Sequence, residues 1–286
     1  MIKPEKQLTI PTPTAKGPQF KMPVKLKDRR RVTIYLTLLV LAYLTMVTLP
    51  TMLPDHLNLK TASLTFLQNI QIMFFHPGLS NTTFVQLIQA LLESILLAFL
   101  TTLIGSVIAF VLALVSFRQL VPAWVGLAIQ SFMALIRAIP NVLWVLIYSV
   151  VFGLGANAAV IGLTFHSVAY LTKVYTDSME ELEPDAIETM RAMGLKNGPI
   201  IRQALVPNFI PSYLSWTFIR FEINFADAVA VGAAAGAGGI GYQLFMASSF
   251  YFNFHEVGVI VYLILVFAIL LEIASYHLRK RVMGNQ

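Results

Sequence analysis

At 286 residues, 57% hydrophobic and 12% charged, with a mean hydropathy of +0.73, the chain is too apolar for a soluble globular domain and reads as an all-α, polytopic integral membrane protein. Its net charge of +6 does not mark a nucleic-acid binder. Nine of its twenty Lys and Arg residues lie between Lys3 and Arg31, ahead of the first apolar run, where they form a topogenic signal. Cysteine is absent, which removes disulfides and thiolate metal sites.

Residues 1–31, basic and rich in proline, are expected to form a cytoplasmic tail. Val32–Leu49 runs eighteen residues without a charge and no small-residue cleavage site follows it. A retained spanning helix over 32–50 is therefore favoured over a secretory signal, whose apolar region is roughly 7–15 residues. The outer segment 51–83, with Pro54 and Pro77, reads as a loop containing a short interfacial helix. At about 20 apolar residues per crossing, further spans fall at 85–115, 123–152, 156–174, 209–231 and 256–276. The chain thus divides into the tail (1–31), a first helix with its external loop (32–84) and a core (85–286). Within 123–152, Pro140 follows closely on Arg137, and a kink or break is expected there because proline removes a backbone donor and clashes with the preceding turn. About six crossings put both termini on one side. That side is expected to be the cytoplasm, since the tail, Arg118, a polar island at 177–207 and Arg279-Lys280-Arg281 share it, whereas the opposite loops hold only Lys60.

The polar island Asp177–Pro207 separates two apolar regions. Its charged side chains would each cost on the order of 3 kcal/mol at the bilayer centre, so it must fold in water. Glu180–Met193 is rich in helix formers, Gly194 is a stop signal, Asn197-Gly198-Pro199 marks a turn and Ile200–Leu205 makes a second helical piece. A helix-turn-helix hairpin on the cytoplasmic surface is expected. Its apolar positions Ile187, Met190 and Leu195 suit packing on the membrane core or on a partner; a solvated connecting loop is the alternative.

The order Glu188, five residues, Gly194, twelve residues, Pro207, just ahead of an apolar span, resembles the coupling loop of binding-protein-dependent ABC importer permeases. Thr189 and Met190 replace the usual small residues after the Glu, and Ala204 and Val206 replace the later Ile and Leu. Arg137-Ala-Ile-Pro140, Arg220-Phe-Glu-Ile-Asn224 and Gly236-Ala-Gly-Gly-Ile-Gly241 occur in the order seen in the phosphonate-type branch, whereas Ala226-Asp227-Ala228-Val229 departs from its usual basic and hydroxyl residues. Over residues 85–281 the resemblance implies a permease subunit of a bacterial ATP-driven importer in the cell membrane, acting as a homodimer by alternating access. It implies a separate cytoplasmic ATPase dimer that carries ATP and Mg, and an external substrate-binding protein that supplies most of the selectivity for a phosphonate or related phosphorus oxyanion. It implies ATPase coupling through Asp185, Glu188, Ala192, Gly194 and Pro207. No cofactor is expected in this chain, and a G-x-x-x-x-G-K-[ST] phosphate loop is absent from it.

Polar residues inside spans are costly and usually face a bundle interior or a water-filled path. Glu93, Arg137, Pro140, His166, Arg220, Glu222, Asn224 and Asp227 are the candidate pathway residues, an arginine fork being suited to an oxyanion. The alternative for the charged members is structural ion pairing, for example Arg220 or Arg137 with Glu222 or Glu93. Gly236, Gly238, Gly239 and Gly241 formally satisfy the dinucleotide fingerprint but lack its strand–turn–helix setting. They are expected to serve close packing or a gate-lining turn near the outer side. The five histidines are dispersed, with no metal-ligand spacing. Three rival functions remain: a permease for another solute such as an amino acid, an intramembrane enzyme using Glu93, His166 or Asp227 as acid–base groups, and a passive channel.

Overall fold

A computed structural model describes residues 29–52, 58–182 and 184–283, and all regular elements among them are helical. The chain divides into two compact units, Met1–Ala62 and Ser63–Gln286. The first is dominated by α1 (Arg29–Met52). Its side chains from Val32 to Thr51 are exposed all round, the surface of a helix that faces lipid. Thr37, Thr45 and Thr48 each donate to the carbonyl four residues back at 2.8 Å, so these three hydroxyls are not left bare in an apolar setting. Residues 1–28 of the expected basic tail lie outside the described residues. Most of the expected outer loop is instead helical: α2 (Leu59–Phe75) follows Asn58, whose side chain accepts from the Lys60 and Thr61 amides.

In the second unit, α3 (Phe84–Ser116) is opened by a reciprocal cap, Thr83 accepting from the Gln86 amide and Gln86 from the Thr83 amide. The span expected over 123–152 is two helices, α4 (Ala123–Ala138) and α5 (Asn141–Phe152), meeting at 88°. Pro140 drives the break: it forces the preceding Ile139 into an extended conformation and lies at the N-cap of α5, where its missing donor is harmless. Trp144 Nε1 reaches back to the Ile136 carbonyl, 3.0 Å, and satisfies an acceptor left by the interruption.

Next comes α6 (Ala156–Glu180), packed against α3, α4, α5 and α9. Protein surrounds it, so Ser167, Thr172, Thr176 and Ser178 are tolerated where a lipid-facing helix would need apolar side chains. For that reason α6, at 25 residues, is not among the helices apolar enough by composition to span. Those are α1, α3 and α11 (Phe254–Met283), or five candidate spans if each bent helix pair counts as one.

The polar island folds as α7 (Pro184–Ala192) and α8 (Asn197–Ile200). A π turn, Ile201–Leu205, then joins α8 to α9 (Val206–Ala235), and the whole rod runs unbroken over Asn197–Ala235. Pro207 explains the π turn. A proline in a continuous helix removes one donor, and the wider turn just before it, with the Val206 amide bonded to the Ile201 carbonyl, re-pairs the chain. The rod ends at Gly236 (φ 61°), and Gly238 (φ 84°) and Gly239 (φ 69°) make the turn into α10 (Gly239–Phe245), 45° away. Four apolar clusters fill the unit; one lies between the hairpin and the ends of α3, α6 and α9.

Candidate transport site and hairpin

Gly194 terminates α7 with a left-handed backbone, φ 79°. Its amide bonds the Arg191 carbonyl at 2.9 Å and the Leu195 amide bonds the Met190 carbonyl at 3.2 Å. This is the Schellman pattern, with Leu195 and Met190 as its accompanying apolar pair against the inner cluster. Ile187 is buried in the same cluster. The apolar face of the hairpin therefore packs on the helical core. Its other face, with Glu188, Thr189, Ala192 and Met193, is exposed. Arg191 donates to the Gln119 carbonyl, and Asn197 to that of Leu120 at 3.2 Å, pinning the hairpin to the α3–α4 turn. Asp185 lies in α7. Pro207 lies in the first turn of α9.

Arg220, on α9, is 2% exposed and enclosed by partners. Its Nε donates to Ser167 Oγ at 3.1 Å, its Nη2 lies 3.2 Å from His166 Nδ1 and 3.7 Å from Asp227 Oδ2, and its guanidinium stands 5.2 Å from the Tyr170 ring centre. Arginine has no acceptor, so His166 Nδ1 accepts and is unprotonated in this contact. One turn on, Asn224 Nδ2 donates to Thr102 (2.7 Å), Ser167 (3.0 Å) and Thr101 (3.3 Å). Arg220, His166, Asn224 and Asp227 thus form one polar belt joining α9 to α3 and α6.

The remaining expected residues lie elsewhere. Arg137 donates through Nη1 to the Ala169 carbonyl, 2.7 Å, and lines a cavity of about 290 Å³ between α4 and α6. Glu222 lines a separate cavity of about 360 Å³ between α9 and α11. Glu93 Oε2 accepts from the Gly239 amide at 3.2 Å and Ser94 Oγ from that of Ile240 at 3.0 Å, so the two cap α10 and hold the glycine turn. Among the described residues the counter-ion of Arg220 is Asp227; neither Glu222 nor Glu93 pairs with Arg220 or Arg137. Gly241 packs against the Val229 backbone, where an added β-carbon would lie 2.7 Å from the Val229 carbonyl carbon. No group of three His, Asp or Glu side chains among the described residues could hold a metal ion.

Thr101, Thr102, Ser167 and Tyr170 complete the belt, and the sequence reading missed them. The adjacent threonines within an apolar span were the available signal. Glu256, fully buried, was also missed. It accepts from Thr82, from Asn81 at 3.0 Å and from Asn253 at 3.1 Å, tying the segment before α3 to the start of α11.

Residues 105–284 match the family described as the binding-protein-dependent transport system inner membrane component. The chain belongs to this family. It is a multi-pass inner-membrane transport subunit, not an enzyme. It is 28% identical over 194 residues to the phosphite transport system permease protein PtxC of Stutzerimonas stutzeri, covering 68% of this chain and 70% of that one. To the phosphate-import permease protein PhnE of Mycolicibacterium smegmatis it is 27% identical over 202 residues, 69% of this chain but only 37% of the relative. To the cryptic phosphonate transport permease PhnE2 of Escherichia coli it is 34% identical over 120 residues, 42% of this chain and 97% of the relative. Among solved structures, the inward-facing MetNI methionine ABC transporter superposes with a TM-score of 0.64 at 21% identity, over 71% of this chain and 99% of that chain. That likeness is one of fold.

Proposed function

We propose that the chain is the permease subunit of an ATP-driven importer for a phosphorus oxyanion (phosphite, a phosphonate or phosphate), working by alternating access. The observation that carries the coupling half of this reading is the hairpin. Its inner face is locked to the bundle, its outer face is free to meet a partner, and its second arm continues without a break into α9. Arg118, Arg191, Lys196 and Arg202 gather at this end of the unit, which supports placing it in the cytoplasm, and the basic residues of 1–31 and Arg279-Lys280-Arg281 support the same side for the two termini. There the hairpin docks into a separate ATPase dimer holding ATP and Mg, through Asp185, Glu188, Ala192, Gly194 and Pro207. A second copy of the chain completes the path, and an external binding protein delivers the solute. The solute class is supported by the phosphite, phosphate and phosphonate permeases to which the chain is similar.

The test is ATP-dependent uptake of labelled phosphite, methylphosphonate and phosphate by vesicles holding the chain, its co-purifying ATPase and its binding protein, with methionine as competitor. Glu188→Arg changes an exposed residue of the docking face. Uptake is expected to fall at least tenfold in this variant while the chain remains in the membrane. Unchanged uptake in Glu188→Arg removes the docking assignment. Uptake of methionine in place of the oxyanions removes the solute assignment.

A further inference from the structure

We infer that α2 is a membrane-surface helix. Moored by its last turn to α11, it lies along the outer boundary of the bilayer, with Leu59, Phe66 and Ile70 among phospholipid acyl chains and Thr61, Thr65 and Gln68 toward water. Its depth follows from the membrane orientation proposed above and is independent of the solute.

Several contacts build the mooring. The Tyr262 hydroxyl donates to the Phe74 carbonyl at 2.6 Å, and the two rings meet edge-on with centroids 6.1 Å apart. Gly258 admits the Met73 backbone: an added β-carbon would lie 2.9 Å from the Met73 carbonyl carbon. Just past the helix, His255 Nδ1 bonds the His76 carbonyl, and the Gly78 amide bonds the His255 carbonyl at 3.1 Å. These residues of α11 lie at a definable depth. Counting about 20 residues, one hydrocarbon crossing, back from Arg279 puts the outer boundary near Val259. Tyr262 is there the kind of side chain that collects at a membrane–water interface.

The other end of α2 returns to the same level. On the proposed orientation α1 reaches the outer side at Met52, and the connection to Leu59 contains Pro54, Asp55 and His56, with Lys60 close behind. Drawing that end into hydrocarbon would bury charges at a cost. Nor is α2 long enough to cross: its 17 residues make about 25 Å, against about 30 Å of hydrocarbon. With both ends at one level, the helix lies flat.

None of the residues of α2 is buried, so no protein packs along it. Leu59 and Phe66 are 66% and 63% exposed. Leu59, Ala62, Phe66, Ile70 and Met73 follow the helical repeat along one side. The opposite side holds every Thr and Gln of the helix, together with Lys60, interleaved with Leu64, Ile72 and Phe75. One apolar face and one mixed face suit shallow immersion at the headgroup–acyl boundary. The lipid that covers the exposed side chains of α11, among them Leu265, Val266 and Ile269, is continuous with that layer.

The chain has no cysteine, so single-cysteine variants report one position at a time. In right-side-out membrane vesicles, a membrane-impermeant maleimide should modify Thr65→Cys and Gln68→Cys at least fivefold faster than Phe66→Cys and Ile70→Cys. In the purified permease–ATPase complex, reconstituted in phosphatidylcholine vesicles, bimane attached at 66 and 70 should be quenched by brominated acyl chains at least threefold more strongly than bimane at 65 and 68. Equal modification and equal quenching at all four positions overturns the inference. Slow modification at 66 and 70 without acyl-chain quenching also overturns it, being the result expected if a second copy or an external protein covered that face. Modification of all four positions only after the vesicles are opened overturns the proposed orientation as well.

Discussion

Replacing Gly194 by alanine places a β-carbon on a backbone held at φ 79°. No atom lies within 4 Å of that carbon, so the substitution meets no steric barrier and its cost is purely conformational. A non-glycine residue in the left-handed region costs about 1–2 kcal/mol, which multiplies the population of the opened turn by about 5–30. Gly194→Asn is the internal control, because asparagine tolerates the left-handed conformation. Hydrogen exchange read on peptides covering 187–200 tests this: protection should fall about 5–30-fold in Gly194→Ala and be largely kept in Gly194→Asn. Wild-type protection in Gly194→Ala, or an equal loss in Gly194→Asn, would refute the Schellman assignment.

Asn224→Leu removes the donor shared by Thr101, Thr102 and Ser167. Each of those hydroxyls still donates to a carbonyl of its own helix, so the loss should be limited to about 1–2 kcal/mol, read as a lowered melting temperature of the detergent-purified protein. Glu93→Ala strips the acceptor from the Gly239 amide, and loss of a cap costs about 1 kcal/mol. Hydrogen exchange at Gly239 should accelerate, with a smaller change at Ile240, which Ser94 still holds. Gly241→Ala forces a β-carbon into the Val229 backbone, which has no rotamer to yield. Destabilisation of about 1–3 kcal/mol is expected, and a wild-type melting temperature would contradict the α9–α10 contact.

The legible parts of the fold were those written in runs of apolar residues and in proline. The expected span 85–115 became α3, Phe84–Ser116, and Pro140 broke its span because the residue before a proline leaves the helical region. Pro207 misled by the same rule, since it suggests the start of a new helix. A π turn absorbs its missing donor, and the hairpin's second arm is the first part of α9. The counter-ion of Arg220 was hidden by spacing. Glu222, two positions on, is nearer in sequence but projects from another face of the helix toward α11, whereas Asp227, two turns along, shares the arginine's face. Ser167, Thr101 and Thr102 were missed because a neutral hydroxyl barely dents the hydropathy of a span. Their role exists only once three helices bring them to one amide.

The rod Asn197–Ala235 carries, from one end to the other, the arm of the hairpin, the belt of Arg220, Asn224 and Asp227, and the glycine turn that Glu93 and Ser94 hold. On the proposed reading, force from an ATPase enters at its first turn. The helical rod continues through the π turn at 201–205 and past Pro211, so on that reading displacement is carried along it to the belt, whose hydrogen bonds tie α9 to α3 and α6. By contrast, α4 and α5 meet at a break near Arg137, and the hairpin is pinned by Arg191 and Asn197 to the turn that leads into α4. On that reading one input acts on two elements, the continuous α9 and the jointed α4–α5.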